Sequence, residues 1–410
     1  MKTALIISEY NPFHEGHKYQ INDIRRAFGE DTAIIALMSG NYTQRGEIAI
    51  ADKFTRAECA VLEGVNLVLH LPFPFSASSA EFFATAGVEI ANAIGTVDIL
   101  AFGSECGEID LLTSVAKNML TDIFEEELSY AISGENQKNI GYPELCEKVY
   151  NKLFSDKISS DFFTSNNILA LEYIKALEKT KSSIIPYTTK RVGAGYNTDF
   201  IVSEEFQSAS AIRNEFRKDL HSAIEYIPNN SKTTLSNAIN NGEFPCDAER
   251  LAPAVLSFFS LNLPNASRPI HDADGGLYNR LKAASFKATS ISTLTKLAST
   301  KKYTTARIKR AIWYSFFGVT SSDVRTKPHY TQVLAMDQVG RALLKRIKKT
   351  TNFPIITKPS STVGLDEIAL RQKLLSDSAD FIFELSKPIP SPAEKALKAT
   401  PFVKKEEKAR

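Results

Sequence analysis

The first 200 residues alternate five short apolar segments with longer segments of helical periodicity. The apolar segments are residues 3–8, 32–38, 65–71, 97–102 and 184–188. The segments between them that predict helices with one apolar face are residues 17–28, 51–63, 79–94 and 111–131. Strands that are apolar throughout and separated by helices indicate a parallel sheet covered on both faces. The pattern therefore predicts an α/β fold with a Rossmann-like amino-terminal half.

The chain is long enough for two domains. Its 410 residues are 43% hydrophobic and 23% charged, which is typical of a folded globular protein and excludes disordered and fibrous classes. After about residue 220 strand signals become sparse, so we expect an α/β domain over residues 1–220 and a mainly α-helical domain over residues 221–410. The Pro-rich, charged stretch after about residue 386 is expected to be poorly ordered.

The sequence carries no signal for export or membrane insertion. The amino-terminal apolar run is short, and nowhere do eighteen apolar residues follow one another. The four cysteines, at positions 59, 106, 146 and 246, lie far apart and have no histidine at metal-ligand spacing. We therefore expect a cytoplasmic protein with reduced thiols, no membrane association and no metal centre built from its side chains.

Positive charge is concentrated in one segment. Residues 275–350 contain 16 Lys or Arg against two acids, a net +14 that leaves −12 for the rest of a chain whose total is +2. Such segregation is typical of a nucleic-acid-binding surface. The candidate RNA-binding residues are Lys301, Lys302, Arg307, Lys309 and Arg310. The alternative is a solvated helix with a core-facing aromatic side, and we favour it for the aromatic residues Trp313, Phe316 and Phe317.

The turn after the first strand carries the strongest chemical signal. It contains His14, Gly16 and His17 in an HxGH pattern. In a doubly wound sheet ligands bind at the carboxyl ends of the strands, and the helix that opens here points its amide groups and dipole towards an anion. Two imidazoles three residues apart reach the same point and donate to phosphate oxygens as charge accumulates. The alternative is a pair of polar residues at a helix start. The HExxH spacing of a zinc protease is absent.

This strand, turn and helix resemble the nucleotidylyltransferase superfamily, whose members attack the α-phosphate of ATP and release pyrophosphate. Residues 208–213 resemble a second motif of that superfamily, which opens a helix under the phosphates, although Ala209 and Ala211 depart from its usual pattern. Ser210 and Arg213 are therefore candidate phosphate contacts. The alternative for this segment is an ordinary helix capped by Ser208.

Further motifs narrow the resemblance. Residues 38–47, 102–105, 165–170 and 190–196 follow strands or open a helix, and residues 276–280 and 300–310 lie in the basic part. Together they resemble the bacterial tRNA(Met) cytidine acetate ligase family, from residue 4 to about residue 349. The resemblance implies activation of acetate by ATP to acetyl-adenylate. It also implies acetylation of the wobble cytidine of elongator tRNA(Met) to N4-acetylcytidine, with Mg²⁺ assisting as in most ATP chemistry.

The same resemblance implies an ATP site with His14 and His17 as catalytic residues. Its members are Ile7, Ser8, Glu9, Tyr10, Asn11, Pro12, Phe13, His14, Glu15, Gly16, His17, Lys18, Tyr19, Gln20, Gly103, Asn166 or Asn167, Arg191 and Val192. Glu15 and Gln20 depart from the residues frequent in the family. The sequence does not decide between the two asparagines.

The loop after the second strand supplies candidate substrate contacts, namely Ser39, Asn41, Gln44 and Arg45. Its alternative is a turn that closes the sheet edge. The group that accepts a proton from the cytidine amine is left open. Glu9 and Glu105 are candidates, and for each of them a structural or solvated acid is the favoured alternative. Two rival functions remain: an adenylyltransferase acting on a small phosphorylated substrate, and a non-catalytic RNA-binding protein.

Overall fold

An eight-stranded sheet forms the centre of the molecule in a computed structural model that describes residues 1–133, 141–159, 161–191, 207–261 and 269–405. The strands are β1 (Thr3–Ser8), β2 (Ala33–Ser39), β3 (Leu67–Leu71), β4 (Ile99–Ser104), β5 (Ile185–Lys190), β6 (Thr331–Met336), β7 (Ile355–Ile356) and β8 (Phe402–Val403). Their order is β5-β4-β1-β2-β3-β6-β7, and β8 pairs with β6.

Helices surround this sheet. Over the same described ranges they are α1 (Glu15–Phe28), α2 (Lys53–Leu62), α3 (Ala80–Ile94), α4 (Ile109–Met119), α5 (Asp122–Ser133), α6 (Tyr142–Leu153), α7 (Ser165–Lys179), α8 (Ala209–Lys218), α9 (Leu220–Ala223), α10 (Asn229–Asn240), α11 (Ala252–Ser260), α12 (Leu277–Ser285), α13 (Ile291–Ala298), α14 (Thr305–Phe317), α15 (Ser321–Arg325), α16 (Gln338–Thr350), α17 (Glu367–Phe383) and α18 (Glu394–Lys398).

The first five strands are parallel, in the order β3-β2-β1-β4-β5. Side chains alternate between the two faces of β1: Leu5 and Ile7 join one apolar core, while Ala4 and Ile6 join the other. Helices α3, α4, α7 and α16 cover the first face, and α1, α2, α8 and α10 cover the second. The predicted Rossmann-like half and the largely helical second half are thus confirmed.

Three features of the fold differ from the sequence expectations. Strand β6 pairs antiparallel with β3, so the chain returns to the sheet after a long helical segment. The stretch expected to be poorly ordered contributes β8, which pairs with β6. The helix predicted over residues 111–131 is two helices, α4 and α5. The division into residues 1–220 and 221–410 stays a prediction, and β6 shows that the second part also contributes to the sheet.

A third apolar core holds α11–α14 and α17 together and contains Trp313, which is 2% exposed. The core assignment favoured for that aromatic residue is confirmed. A buried ion pair then ties α17 to the start of α2, because Lys53 Nζ lies 2.6 Å from the Asp380 carboxylate. Asn41 also donates to Asp380, at 2.8 Å. Among the helices that the structure describes, none is long and apolar enough to cross a membrane.

Gly340 allows α16 to pack against the start of β3. A Cβ at this position would overlap the carbonyl oxygen of Asn66, whose side chain accepts from Ile34 N and donates to Asp337. Alanine is normally better than glycine in a helix by about 1 kcal/mol. We nevertheless expect Gly340→Ala to lower the free energy of unfolding in urea by about 1–3 kcal/mol, because the overlap forces backbone apart. The neighbouring exposed control, Val339→Ala, should change it by less than about 0.5 kcal/mol. A more stable Gly340→Ala protein would contradict this packing.

Candidate active site

A cavity opens at the carboxyl ends of β1 and β4, the point at which the strand order reverses and where such sheets bind ligands. Its lining combines the turn after β1, the loop after β2, the ends of β4 and β5, and the starts of α7 and α8. Cationic lining residues outnumber acidic ones; the cations are Arg45, Lys190, Arg191 and Arg213, and the acids are Glu9 and Glu47. By the charges of its described lining residues, the cavity is therefore suited to a polyanion.

His14 and His17 open α1 and cap it with each other. The His14 ring accepts from Gly16 N at 3.1 Å through Nδ1, and His17 Nδ1 accepts from His14 N at 3.2 Å. The ring centroids are 3.8 Å apart. Tyr10 and Phe13 pack against His17, with ring centroids 4.8 and 5.3 Å away. Both imidazoles line the cavity.

The hydrogen bonds and the charges set the protonation of both rings. Burial, with the charges of Arg191 and Arg213, lowers the pKa of His14 to about 3. Burial, with His14 and Arg191, also lowers the pKa of His17 well below its usual range. In a neutral ring whose Nδ1 is an acceptor, the proton is on Nε2. Each ring therefore offers one neutral Nε2–H donor to a ligand.

Gly16 is needed at this turn because of the His14 ring. A Cβ on Gly16 would lie 2.9 Å from His14 Cε1 and 3.1 Å from its Nδ1. A larger residue would displace the imidazole and break the bond that orients it. The glycine thus keeps the His14 ring in position.

Arg213 connects α8 to the turn after β1. Its guanidinium donates to Asn11 O at 2.8 Å and Ser210 Oγ at 3.1 Å, and it lies 3.4 Å from the Glu47 carboxylate. Ser208 caps α8 by accepting from Ala211 N at 3.1 Å. The capping alternative and the phosphate-contact prediction for this segment are compatible, since Ser210 and Arg213 both line the cavity.

Most of the predicted ATP-site residues line this cavity. They are Ile7, Ser8, Glu9, Tyr10, Asn11, His14, Gly16, His17, Tyr19, Gln20, Gly103, Asn166 and Arg191. Pro12, Phe13, Glu15 and Lys18 are not among the lining residues, and Lys18 pairs with Glu63 at 3.0 Å. Val192 lies outside the described residues.

The two asparagines of α7 have different surroundings. Asn166 lines the cavity and donates to Glu105 Oε1 at 2.6 Å. Asn167 is 1% exposed, accepts from Glu105 N at 2.9 Å and donates to Phe162 O at 2.8 Å. Asn167 is therefore held in the protein interior, and Asn166 is the one placed to meet a ligand.

In the loop after β2, likewise, two of the candidate side chains line the cavity and two are buried. Gln44 and Arg45 line the cavity, and Arg45 donates to Ser165 Oγ at 3.0 Å. Asn41 is buried between Lys53 N and Asp380, and Ser39 is fully buried with its carbonyl accepting from Arg56. This corrects the expectation that all four polar side chains meet substrate, because Ser39 and Asn41 hold the loop instead.

Arg56 and Glu47 belong to the site and were not identified from the sequence. Arg56 is 1% exposed and donates to the carbonyls of Glu9 and Gly40. Its signal in the sequence is an arginine on the apolar face of α2, beside Ala57 and Ala60. Glu47 ends the 38–47 motif, but its contacts could not be read from that motif because its partners Arg213 and Lys309 come from distant parts of the chain.

The basic segment is partly neutralised by its surroundings. Arg310 is 8% exposed and donates to Asp272 at 2.6 Å, Arg307 pairs with Asp274, and Lys309 lies 2.7 Å from Glu47. Lys301 and Lys302 are exposed. This corrects the expectation that these cations form one open face, because the acids that pair with them lie outside the counted segment.

The described part of the chain contains no cluster of three side chains that could hold a metal ion. Of the two acids of the cavity, Glu47 pairs with Lys309 and Arg213, and Glu9 accepts one hydrogen bond from Gln44 N. These residues do not form a Mg²⁺ site of their own. Mg²⁺ is commonly held by one or two carboxylates and by substrate phosphates.

Comparison with known proteins agrees with this geometry. Residues 1–391 match the family model described as HIGH Nucleotidyl Transferase. The chain is 34% identical over 388 residues to the tRNA(Met) cytidine acetate ligase of Acetivibrio thermocellus, covering 91% of this chain and 92% of the relative. It is 37% identical over 389 residues to that of Clostridium tetani, covering 89% and 93%.

Two solved structures of Thermotoga maritima TmcAL are also similar. The apo form has a TM-score of 0.89 at 31% identity, covering 98% of this chain and 99% of that one. The form bound with alpha-thio ATP has a TM-score of 0.87 at 30% identity, covering 98% and 100%. Fold and histidine turn together define a HIGH nucleotidyl transferase. Since the relatives extend this likeness across both halves, the chain belongs to the tRNA(Met) cytidine acetate ligase family.

The protonation of the two histidines can be measured directly. In a ¹⁵N-histidine NMR titration we expect His14 to stay neutral, with the proton on Nε2, from about pH 8 down to about pH 5, because its pKa is about 3. His17 should show the same tautomer at neutral pH. The variants His14→Gln and His17→Gln assign the signals. A His14 ring that gains a proton near pH 6 would contradict the electrostatic description.

Proposed function

We propose that the protein is an ATP-dependent tRNA(Met) cytidine acetate ligase. The observation that carries this proposal is the match to ligases of that name over about nine-tenths of the chain, with a paired-histidine cavity where such a sheet binds ligands. A similar structure bound with alpha-thio ATP supports ATP as the nucleotide. No observation favours the small-substrate adenylyltransferase or a non-catalytic RNA-binding protein.

In the first step, the carboxylate of acetate attacks the α-phosphorus of ATP. An oxygen–phosphorus bond forms, the bond to the β-phosphate oxygen breaks, and pyrophosphate leaves with the electron pair. The Nε2–H groups of His14 and His17 donate to the oxygens on which charge accumulates. As neutral donors they bind these oxygens without gaining or losing a proton. Arg191 and Arg213 are placed to hold the departing phosphates, since guanidinium groups match phosphate geometry.

In this proposal Mg²⁺ binds to the protein only together with the nucleotide. Because the described residues form no carboxylate cage, an ion accompanying ATP is held chiefly by the phosphates. Its charge adds to that of the four cationic lining residues. The residues of this chain orient the nucleotide.

In the second step, the N4 amine of the wobble cytidine attacks the acetyl carbonyl and AMP leaves. That amine is delocalised into the ring, so orientation and exclusion of water from the mixed anhydride decide the rate. A wobble base is already single-stranded, so it enters the cavity without loss of a base pair.

The tRNA backbone is proposed to contact α16 as well as the exposed Lys301 and Lys302. Helix α16 has no acidic residue, and its exposed cations are Arg341, Lys345, Arg346, Lys348 and Lys349. None of them forms an ion pair within the described part of the chain, whereas Arg307, Lys309 and Arg310 do. Unpaired surface cations release counterions from RNA without breaking protein contacts.

The test of the whole proposal is incubation of the protein with ATP, Mg²⁺, isotope-labelled acetate and bulk bacterial tRNA, followed by mass spectrometry of the nucleosides. We expect labelled N4-acetylcytidine that disappears without ATP, and His17→Ala should reduce it by at least about 100-fold. His221→Ala, an exposed histidine outside the cavity, is the control and should retain activity. An adenylylated small molecule with no labelled nucleoside would instead establish the adenylyltransferase.

The role of α16 is tested by Lys345→Glu/Lys349→Glu. We expect this pair to weaken tRNA binding by at least about tenfold and to make its salt dependence shallower, because phosphate contacts are lost. ATP–pyrophosphate exchange should be unchanged. The matched control is Lys148→Glu/Lys152→Glu, two exposed lysines with the same spacing on α6. Equal effects of the two pairs on tRNA binding would reject a specific contact at α16.

A further inference from the structure

Acetyl transfer to the cytidine amine requires a group that accepts a proton. The N4 amine carries two protons, and the amide nitrogen of the product carries one. One proton must therefore leave N4 as the amide forms. A general base must line the cavity, have an oxygen or nitrogen free to accept, and hold a suitable pKa. Tyrosine and lysine side chains ordinarily keep their protons near neutral pH. The described cavity-lining imidazoles and carboxylates, which can accept a proton there, are His14, His17, Glu9 and Glu47.

Three of these four groups are committed elsewhere. The Nδ1 atoms of His14 and His17 already accept backbone N–H groups, and their Nε2 atoms carry the protons. Glu47 lies 2.7 Å from Lys309 and 3.4 Å from Arg213, and both charges lower its pKa. A carboxylate held by two cations is a weak base.

Glu105, the other acid that the sequence suggested, is engaged at the start of α7. It accepts from Thr164 Oγ1 at 2.7 Å, Asn167 N at 2.9 Å and Asn166 Nδ2 at 2.6 Å. It is also not among the cavity-lining residues. These bonds identify Glu105 as a structural acid.

Glu9 differs from all of these groups. It follows β1 directly, lines the cavity, and accepts one hydrogen bond, from Gln44 N to Oε1 at 2.9 Å. Its second oxygen, Oε2, has no hydrogen-bond partner among the described residues. The neighbouring Tyr173 ring, 2% exposed, helps to exclude water.

We propose that Glu9 is the general base of acetyl transfer, an assignment that rests on the proposed ligase function. As N4 attacks the acetyl carbonyl, the C–N bond forms and the bond from the carbonyl carbon to the phosphate oxygen breaks. AMP leaves with that electron pair. The N4 proton passes to the open Oε2 of Glu9 and from there to solvent, while Gln44 N keeps the carboxylate in place.

The surroundings of Glu9 determine how this base depends on pH. Burial raises its pKa, Arg213 on α8 and Arg56 on α2 lower it, and Glu47 on the β2 loop raises it. Tyr173 on α7 faces it as a neutral phenol, because burial and the Glu9 charge raise the tyrosine pKa. With a raised pKa, Glu9 is protonated and inactive at low pH. The transfer rate should therefore rise with pH through a value above the ordinary glutamate range.

The two half-reactions separate this role from a structural one. We would measure acetate-dependent ATP–pyrophosphate exchange, and single-turnover transfer from synthetic acetyl-adenylate to elongator tRNA(Met) between about pH 5 and pH 9. In Glu9→Gln the amide oxygen still accepts from Gln44 N. We expect transfer to fall at least about 100-fold, at least about tenfold more than exchange falls, and to lose its rise with pH. Glu9→Asp should retain that rise at an intermediate rate.

Transfer by Glu9→Gln within about threefold of the natural protein, or with the same pH profile, would overturn the assignment. So would a parallel loss of exchange and transfer, which indicates a structural role. If the natural protein itself transferred no acetyl group to cytidine, the proposed function would fail together with this assignment. A natural protein that acetylates normally beside an unaffected Glu9→Gln variant would reject only the role of Glu9.

Discussion

The buried guanidinium of Arg56 holds together the two segments on which the cavity depends. It donates to the carbonyl oxygens of Glu9, Ser39, Gly40 and Ala51, at the ends of β1 and β2 and before α2. Burial lowers its pKa to about 10, so the group is still charged at neutral pH. A buried charge is tolerated only when its hydrogen bonds are satisfied, and here four carbonyl dipoles satisfy it. The spacing between the turn after β1 and the loop after β2 is thereby set.

That spacing brings hydrogen-bond donors and acceptors of different kinds to one cavity. The turn after β1 supplies two imidazoles that each present an N–H group, because their Nδ1 atoms are used to cap α1. The backbone of the β2 loop supplies Gln44 N, which orients the Glu9 carboxylate. In the proposed mechanism, donation to phosphate oxygens and acceptance of a proton therefore belong to different groups. One site can stabilise developing anionic charge and still provide a base.

Local patterns predicted the parts of the fold that local interactions determine. The five parallel strands and the HxGH turn were readable because apolar runs and a strand–turn–helix junction depend on neighbouring residues. Strand β6 was not readable in this way, since it pairs with β3 across some 260 intervening residues. The same holds for the bond from Lys53 to Asp380, which spans 327 positions. Loop closure over such distances leaves no periodic signal in the chain.

The charges within one stretch of sequence, residues 275–350, do not define the charge of the surface that the stretch forms. Within residues 275–350 only two acids were found, yet Arg307, Lys309 and Arg310 are paired with acids at positions 272, 274 and 47. Folding brings those carboxylates to α14, so much of its positive charge serves internal contacts. Helix α16 buries Leu343, Leu344 and Ile347 on the sheet and contains no acidic residue; the acid that precedes it, Asp337, caps its first turn. Its cations are left facing solvent, which makes α16, and not α14, the main source of exposed positive charge in this segment.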